Sequence, residues 1–400
     1  MLQIMEKNKC CGCEVCSNAC PKNCIKMMAD EKGFLYPEID ENKCIDCHLC
    51  EKVCPVLLPL SSKYEPFMYA IQNRDEKIRE TSTSGGAFSA IAQWVLDKQG
   101  VVIGAAYDDQ FRVFHKSVES EKDVEAFRGS KYVQSRAGEI YKNVRQYLEK
   151  DRWVCFSGTP CQVNGLKKYL QKEYEKLITI DLACRGITSP AFLKKYLEYH
   201  KNKEKSDIVS LQFREKYYGY GFSTMKIEFS NGGIYRAGME SDIFLRSFFE
   251  DLNTRESCHS CQFKTVKRVS DFTLFDGWHI GKFNMEMDDD KGTTYCMVQS
   301  EKGKKIIQEI EDKLKIIEIS RNEGIRLDGS MVLKSTSPNL RREDFFEDIK
   351  ILTIPKIQKK YYPLTFKRKI LSKIKPLMYQ IGIFKFYMKF KEVFHGKRND

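Results

Sequence analysis

The chain has 400 residues, of which 42% are hydrophobic and 30% charged, and it carries a net charge of +12. This length exceeds one ordinary domain, so we expect two or three. No apolar run approaches roughly 18 residues, and the N-terminus has no basic-then-apolar leader. We therefore expect a cytoplasmic protein without a transmembrane helix. Sixteen cysteines in such a protein indicate metal ligation rather than disulfides.

The first 58 residues contain one cysteine pattern twice. Each run reads C-x2-C-x2-C-x3-C-P, the spacing of a two-cluster bacterial-type ferredoxin. Three cysteines of a run converge on one cubane, and the fourth ligates the other cluster. One [4Fe–4S] cluster is therefore assigned to Cys10, Cys13, Cys16 and Cys54, and the second to Cys20, Cys44, Cys47 and Cys50. A zinc site would leave the third cysteine of each run unexplained.

Shorter features lie around these runs. Residues 25–28 and 33–37 predict a hairpin that shields the clusters from water. Cys11 and Cys24 fall outside the repeat, and free cysteine usually behaves as a small buried hydrophobe. We therefore expect both to be packing residues. A linker over residues 59–66 then leads into a predicted strand over 67–72.

Two polar loops follow. The first, Ser84-Gly85-Gly86, precedes a predicted helix over 87–96. Hydroxyls and glycines at that point provide either an ordinary helix cap or a backbone anion site, and the sequence leaves both open. Strands are predicted over 101–107 and 112–117. The second loop, after a short predicted helix, contains a lysine that could hold a phosphate or simply be solvated: Ser130, Lys131, Tyr132 and Gln134.

Two similar units come next. Each is a strand, a loop and a helix, with strands predicted over 153–156 and 177–182. This pattern predicts a parallel sheet, in which ligands bind at the carboxyl ends of the strands. Cys161 and Cys184 both fall at such ends. Cys155 lies inside its strand, so we expect it in the core.

A further pair, Cys258-x2-Cys261, follows a hairpin predicted over 225–236 and a helix predicted over 241–251. A lone pair is ambiguous between half a zinc site, a redox pair and half a cluster. The two earlier cysteines need partners, and the ferredoxin-type clusters need an electron acceptor. We therefore favour a third [4Fe–4S] cluster, with a four-thiolate zinc site as the alternative; its ligands would be Cys161, Cys184, Cys258 and Cys261. Cys296, in a predicted strand over 293–299, is expected in the core.

The positive charge is concentrated at the C-terminus. Residues 351–400 contain 13 Lys and Arg against Glu392 and Asp400, so we expect no nucleic-acid surface elsewhere. Over 366–394, basic residues interleave with aromatic and aliphatic ones at helical spacing. Such a segment suits peripheral contact with an anionic membrane, here the inner face. A helix that packs on protein through its apolar side is the other interpretation.

Taken in order, the motifs TSGG, GSKYVQS, SGTPCQ, LACRG, CxxC and DGW resemble a known family. Residues 1–345 are similar to the beta subunits of coenzyme F420 hydrogenases and dehydrogenases, in the form fused to an N-terminal two-cluster ferredoxin. Some bacterial members of this kind are tied to polysaccharide synthesis. The resemblance implies an α+β protein with a ferredoxin-like domain (1–58), a larger α/β domain with a mixed sheet (66–345) and, beyond the resemblance, a basic amphipathic helical tail (350–400).

The resemblance also implies FAD and one [4Fe–4S] cluster in the larger domain. It implies that one set of residues lines the pocket of FAD or substrate: Ser84, Gly85, Gly86, Ser130, Lys131, Tyr132 and Gln134. Thr159 and Pro160 would shape the loop between cluster and flavin. The chain departs from the family at Arg185, where many relatives have histidine, and Asp276–His279 only approximates the family's aspartate–tryptophan loop.

We therefore predict an FAD-dependent iron–sulfur oxidoreductase. Electrons would pass from a redox partner protein or reduced ferredoxin through the clusters and FAD to a small-molecule hydride acceptor, or in reverse. The family's deazaflavin coenzyme is a candidate substrate. The alternative is an electron-transfer subunit without its own substrate site, which feeds a partner enzyme. The sequence indicates no catalytic residue.

Overall fold

The computed structural model describes residues 6–383. Residues 6–58, the N-terminal module, contain two short helices and one hairpin: α1 (Val15–Ala19), β1 (Ile25–Ala29), β2 (Leu35–Ile39) and α2 (Leu49–Lys52). The two strands are antiparallel, with Ile25 opposite Ile39. The hairpin predicted between the cysteine runs is therefore confirmed.

The strands of the larger part alternate with helices along the chain. They are β3 (Phe67–Asn73), β4 (Val101–Tyr107), β5 (Val113–Val118), β6 (Ser135–Arg136), β7 (Val154–Gly158), β8 (Leu177–Leu182), β9 (Ile208–Glu215), β10 (Thr224–Phe229), β11 (Ile234–Gly238), β12 (Phe272–Asp276), β13 (Thr294–Val298) and β14 (Leu314–Glu318). The sequence predicted neither β9 nor β12. The other strands agree with the predictions to within about two residues at their ends, apart from the two-residue β6.

The helices are α3 (Glu76–Thr81), α4 (Ala87–Asp97), α5 (Glu121–Val124), α6 (Ile140–Glu149), α7 (Pro160–Leu170), α8 (Pro190–Glu204), α9 (Ile243–Phe249), α10 (Glu301–Glu309), α11 (Arg321–Leu327), α12 (Ser330–Leu333), α13 (Arg342–Ile351), α14 (Ile354–Tyr361) and α15 (Phe366–Gln380). Side chains cap the starts of α7 and α8. Ser189 accepts a hydrogen bond from the Phe192 N–H at the start of α8. Thr159 and Gln162 form a capping box on α7.

Nine strands form one mixed sheet in the order β14-β3-β13-β12-β8-β7-β4-β5-β6. Strands β7 and β8 are parallel, with Val154 opposite Leu177, which confirms the two predicted strand–loop–helix units. β12 joins β8 in parallel, and β4 joins β7 in parallel. The carboxyl ends of these four strands meet at one edge of the sheet, where α/β proteins bind ligands. The fold class is α+β, as predicted.

Both faces of this sheet are buried. Ile91 of α4 and Ile306 of α10 pack on one face, together with Cys155 and Cys296, which are fully buried as predicted. Val144 of α6 and Leu166 of α7 pack on the other face. Residues of the N-terminal module belong to this second cluster: Cys13, Val15 and Val53. The module therefore shares a hydrophobic core with the larger part.

A second sheet has three antiparallel strands in the order β11-β10-β9. It packs with α8, α9, α13 and α14 around an aromatic core, in which Phe192 stacks on Phe244 with ring centroids 5.6 Å apart. The hairpin turn at Asn231-Gly232 is confirmed, and Gly232 has the positive φ (+86°) that such turns require.

The tail predicted over 350–400 contains the helices α14 and α15, and residues 384–400 lie outside the described residues. A row of apolar side chains recurs every three or four positions and is exposed: Phe366, Ile370, Ile374, Leu377 and Ile381. Tyr379 contacts Phe222 with ring centroids 5.4 Å apart. Within residues 6–383, no helix is long and apolar enough to cross a membrane.

Candidate redox site

Two cysteine-lined cavities lie in the N-terminal module. The first, about 270 Å³, is lined by all four cysteines assigned to the first cluster, together with Cys11 and Cys50. The second is lined by all four cysteines assigned to the second cluster, together with Cys24. The structure thus brings the repeat cysteines together in the two crossed sets of the assignment. Thiols around a cavity are the donor set that a cubane needs.

Cys11 and Cys24 pack with hydrophobic clusters, as predicted, and each also lines a cysteine cavity. The Cys24 thiol lies 3.2 Å from the sulfur of Cys20, inside the second cavity. Cys11 lines both the first cavity and the large cavity described next. The spacing rule identifies ligands but does not say which way a neighbouring side chain turns, so the sequence offered no signal for either contact.

A third group of cysteines lies at the carboxyl edge of the large sheet. Cys161 lies in the first turn of α7, and Cys184 lies in the loop after β8. Cys258 lies in a 3₁₀ turn over Glu256–Ser260, and Cys261 directly follows that turn. All four line one cavity of about 1070 Å³. At Gly186 an added Cβ would lie 2.7 Å from Thr254 Cγ2 and 3.3 Å from Cys258 Cβ, so only glycine fits between the cysteine-bearing loops.

The surroundings of these four thiols favour the protonated form over the thiolate. Burial raises the pKa of Cys184 to about 12 and also raises the pKa of Cys258 and Cys261. A hydrogen bond with Cys11, followed by burial, raises the pKa of Cys161. Because the thiolate is the ligand, iron must displace these protons on binding.

Basic side chains surround the third group. Lys264 Nζ donates a hydrogen bond to the carbonyl oxygen of Cys184, and burial lowers the pKa of Lys264. Arg268 forms a buried ion pair with Asp181 over 3.0 Å. These cations suit a site that gains negative charge from four thiolates. Within residues 6–383, no group of three or more His, Cys, Asp or Glu side chains could hold a single metal ion.

The predicted anion loop at the start of α4 lines the same cavity. Gly86, with a φ of +83°, caps the helix, and Gly85 cannot carry a side chain because a Cβ would collide with the Ile71 carbonyl oxygen. Ser84 and Thr294 join their hydroxyls over 2.8 Å. Among the described residues no side chain caps α4, and Gly86 and the first helical residues line the cavity, whereas the Gly85 N–H donates to Thr294 Oγ1 over 2.8 Å.

The second predicted loop is hydrogen-bonded to the first, and both loops line the large cavity. The Ser130 N–H donates to Thr83 Oγ1 over 2.8 Å. Lys131 Nζ donates to two carbonyl oxygens of its own loop, and burial lowers its pKa to about 7. Tyr132 stacks on Phe248 with ring centroids 4.4 Å apart. These residues are compatible with a phosphate-bearing ligand with a planar ring.

Gln134 differs from the other predicted pocket residues, because its amide holds the N-terminal module. Its Oε1 accepts from the Leu35 N–H over 3.1 Å, and its Nε2 donates to the Gly12 carbonyl oxygen over 3.3 Å. By contrast, the Thr159 hydroxyl lies 3.1 Å from Cys161 Sγ. Pro160 begins the helix that carries Cys161.

The sequence missed a polar and aromatic group on the cavity wall. Arg214 of β9 pairs with Asp276 over 2.7 Å and lies over the ring of Trp278 at 4.4 Å. Trp278 in turn stacks on Tyr220 with centroids 4.3 Å apart. The alternation of Gln212, Phe213 and Arg214 could have indicated the strand, but nothing in the sequence pairs it with Asp276. Arg185, which departs from the family pattern, pairs with Asp251 over 2.7 Å.

Three family descriptions match the chain. Residues 9–57 match a "4Fe-4S dicluster domain". Residues 68–141 and 151–322 match the N-terminal and C-terminal parts of "Coenzyme F420 hydrogenase/dehydrogenase, beta subunit" and together span more than half of the chain. The fold and these matches define an iron–sulfur electron-transfer protein. The chain belongs to the coenzyme F420 hydrogenase/dehydrogenase beta subunit family, a family of oxidoreductases.

One curated relative is described as the F420-dependent formate dehydrogenase subunit beta of Methanocaldococcus jannaschii. It is 22% identical over 298 residues, which cover 73% of this chain and 68% of the relative. One similar solved chain comes from a xenon-derivatised F420-reducing [NiFe] hydrogenase complex of Methanosarcina barkeri. It has a TM-score of 0.46 and 16% identity, and the match covers 77% of this chain and 95% of that chain.

Proposed function

We propose that this protein is an FAD-dependent iron–sulfur oxidoreductase. Electrons would pass among ferredoxin-type clusters, a third cluster, FAD and a hydride-accepting substrate, in either direction. The observation that carries the proposal is that four cysteines and two polar loops line the same cavity of about 1070 Å³. A bound flavin would supply the conversion between one-electron and two-electron hydride chemistry.

The ligand sets are those that the cavities group together. Cys10, Cys13, Cys16 and Cys54 would hold the first cluster, Cys20, Cys44, Cys47 and Cys50 the second, and Cys161, Cys184, Cys258 and Cys261 the third. The proposed domains are residues 1–58, 66–345 and 350–400. A cluster rather than zinc is favoured for the third set because helix α7, which carries Cys161, shares a hydrophobic core with the cysteine-rich N-terminal module.

For the flavin, each lining residue has a physical task. The N–H groups of the first turn of α4, which follows Ser84, Gly85 and Gly86, would donate to a phosphate. Lys131 would add a positive charge to the same phosphates. Tyr132, already stacked on Phe248, would provide one wall for a planar ring.

The substrate is expected beside Arg214 and Trp278. A buried guanidinium over an aromatic ring provides both charge and a flat surface, which suit an anionic substrate with a planar ring. The deazaflavin coenzyme named in the description of the curated relative is one such candidate. The same relative is described as a subunit, which supports a redox partner protein for this chain as well.

The alternative is an electron-transfer subunit that holds clusters but turns over no substrate itself. Anaerobic purification followed by iron, zinc and flavin analysis separates the two functions. Three cubanes predict about 12 iron atoms per chain, together with one flavin. About eight iron atoms plus zinc would eliminate the third cluster. Twelve iron atoms without flavin, even after incubation with FAD, would favour the alternative.

We also propose that α15 makes peripheral contact with an anionic membrane. Its apolar row is exposed rather than packed on protein, with Phe366 80% and Leu377 54% exposed. The helix has no acidic residue, and Arg368, Lys369 and Lys373 accompany the apolar row. An apolar stripe with cations beside it suits the boundary between headgroups and acyl chains.

A further inference from the structure

One cysteine is common to the first-cluster cavity and the large cavity. Among the described residues 6–383, the cysteines that line the large cavity are Cys11, Cys161, Cys184, Cys258 and Cys261. Cys11 also lines the first-cluster cavity, next to Cys10 and Cys13. Cys50 likewise lines both cavities of the N-terminal module. The three cavities therefore form a series in which each neighbouring pair shares a cysteine.

The Cys11 side chain contacts an assigned ligand on each side. It lines the first-cluster cavity together with Cys13 and the large cavity together with Cys161. The turn at Gly12 makes this possible, because its φ is +66° and an added Cβ would lie only 2.5 Å from Gln134 Nε2. A residue other than glycine would thus displace the loop that directs Cys11 into the large cavity.

Helix α7 holds Cys161 against the module. Gly165 lies one turn after Cys161 on the same face of the helix. An added Cβ at Gly165 would lie 3.6 Å from Cys13 Sγ and 3.5 Å from Val15 Cβ. Tyr141, from the adjacent α6, donates its hydroxyl to the Cys13 carbonyl oxygen over 2.9 Å. Two helices of the larger part therefore fix the geometry between the two cysteine sets.

We propose that Cys11 is a positioning residue whose thiol bridges the first and third clusters for electron transfer. The inference rests on the proposed function, because it requires the third cluster. Both clusters have four other thiolate ligands in the assignment, so Cys11 stays a thiol. The step moves one electron: one cluster is oxidised, the other is reduced, and no bond forms or breaks. A low-potential one-electron donor supplies the next electron.

The Cys11 thiol shortens the through-space distance that an electron must cross between the ligands of the two clusters. From the first cluster the path would follow the ligand Cys13, then the thiol of Cys11, which lines both cavities, then the ligand Cys161. Sulfur is polarisable and fills this contact. Removal of the sulfur would leave a void between the two ligands, while the helices that set their separation remain in place.

The test compares Cys11→Ala and Cys11→Ser with the wild-type protein. Each is purified anaerobically, its iron is counted, and it is reduced by a viologen and frozen at short times for electron paramagnetic resonance. We expect both variants to keep full iron and unchanged reduction potentials. In Cys11→Ala, reduction of the third cluster should be several-fold slower, and the exchange splitting between the two reduced clusters should be lost. Cys11→Ser keeps a polar group of similar size at this position and should be intermediate. Cys155→Ala, the same change inside β7, is the matched control.

Wild-type kinetics and splitting in Cys11→Ala would overturn the inference. Loss of about four iron atoms from that variant would also overturn it, because Cys11 would then be a ligand. If Cys11→Ala does not fold, wild-type behaviour of the isosteric Cys11→Ser would overturn the role of the sulfur. About eight iron atoms in the wild-type protein would instead contradict the third cluster itself, so the two failures are distinguishable.

Discussion

Arg255 donates a hydrogen bond from Nε to the backbone carbonyl oxygen of Cys10 over 2.9 Å, and so ties the turn before Cys258 to the first cysteine run. The Arg255 side chain is fully buried, and its other hydrogen-bond acceptors, the Leu35 carbonyl oxygen and Gln134 Oε1, are neutral. A buried cation needs a compensating negative charge. Thiolate-ligated clusters on either side of it would provide that charge.

Replacement of this cation should therefore change the clusters electronically. In Arg255→Gln we expect the potentials of the first and third clusters to become more negative, because the reduced cluster carries the additional electron. The decrease should be on the order of 60 mV, equivalent to about 1.4 kcal/mol for one electron. Redox titration measures it. Arg246→Gln, at a buried arginine paired with Glu250, is the control. Equal potentials in all three proteins would contradict the charge argument.

The third ligand set makes a separate prediction. Cys258→Ala should lose about four iron atoms and keep about eight, since the ferredoxin-type ligands are untouched. The measurement is iron analysis of the anaerobically purified protein, with the spectrum of the remaining clusters. Cys296→Ala, a buried cysteine of β13, should keep full iron. Full iron in Cys258→Ala would remove this residue from the ligand set.

Iron should also stabilise the N-terminal module. Its helices have only five and four residues, and its sheet only two strands, which is too little structure to persist in water alone. Metal-ligand binding energy becomes folding energy in such modules. We expect anaerobic chelation of iron to lower the melting temperature and to expose residues 6–58 to protease first. Equal cleavage of iron-loaded and iron-free protein would contradict this expectation.

Flavin affinity should depend on pH through Lys131. Burial lowers its pKa to about 7, so the side chain loses its charge as the pH rises above that value. A bound phosphate favours the charged form and raises this pKa, so binding takes up a proton. FAD affinity, measured by quenching of flavin fluorescence, should therefore weaken from about pH 6 to pH 9.

The variant Lys131→Met should bind FAD more weakly and show a smaller pH dependence. Some dependence should remain, because burial also lowers the pKa of Lys216 to about 7, and its Nζ donates to the Ser84 carbonyl oxygen. Lys122→Met, at an exposed lysine, should behave as wild type. An affinity independent of pH in the wild-type protein would show that Lys131 does not contact the phosphates.

Membrane contact by α15 should depend on its apolar row. The double variant Ile370→Gln and Ile374→Gln should sediment less with vesicles that contain anionic lipids. The change removes apolar side chains that would be buried in the membrane, but it removes no charge. Leu340→Gln, at a fully exposed leucine outside the tail, is the matched control. Binding of wild type to neutral vesicles alone, or equal binding by all three proteins, would refute the proposal.

Local sequence patterns predicted most of the strands, because turns and helix caps are determined by residues close together in the chain. The turn at Asn231-Gly232 and the cap at Ser189 act within a few residues, and both are present. Strand β9 was missed because its polar Arg214 is satisfied by Asp276, 62 residues away in sequence. Gln134 lines the large cavity, but the sequence did not show that its amide also holds the N-terminal module, since hydrogen-bond partners of this kind depend on packing.

The sequence by itself determined that this protein carries ferredoxin-type clusters, because the spacing of each cysteine run is a property of one short loop. Only the tertiary structure decided which cysteines meet across the chain. It grouped Cys161 with Cys258, turned Cys11 toward them, and buried Arg255 between the module and the large cavity. The reason is physical: these contacts depend on how a parallel sheet edge packs against the N-terminal module, and no local spacing records that packing.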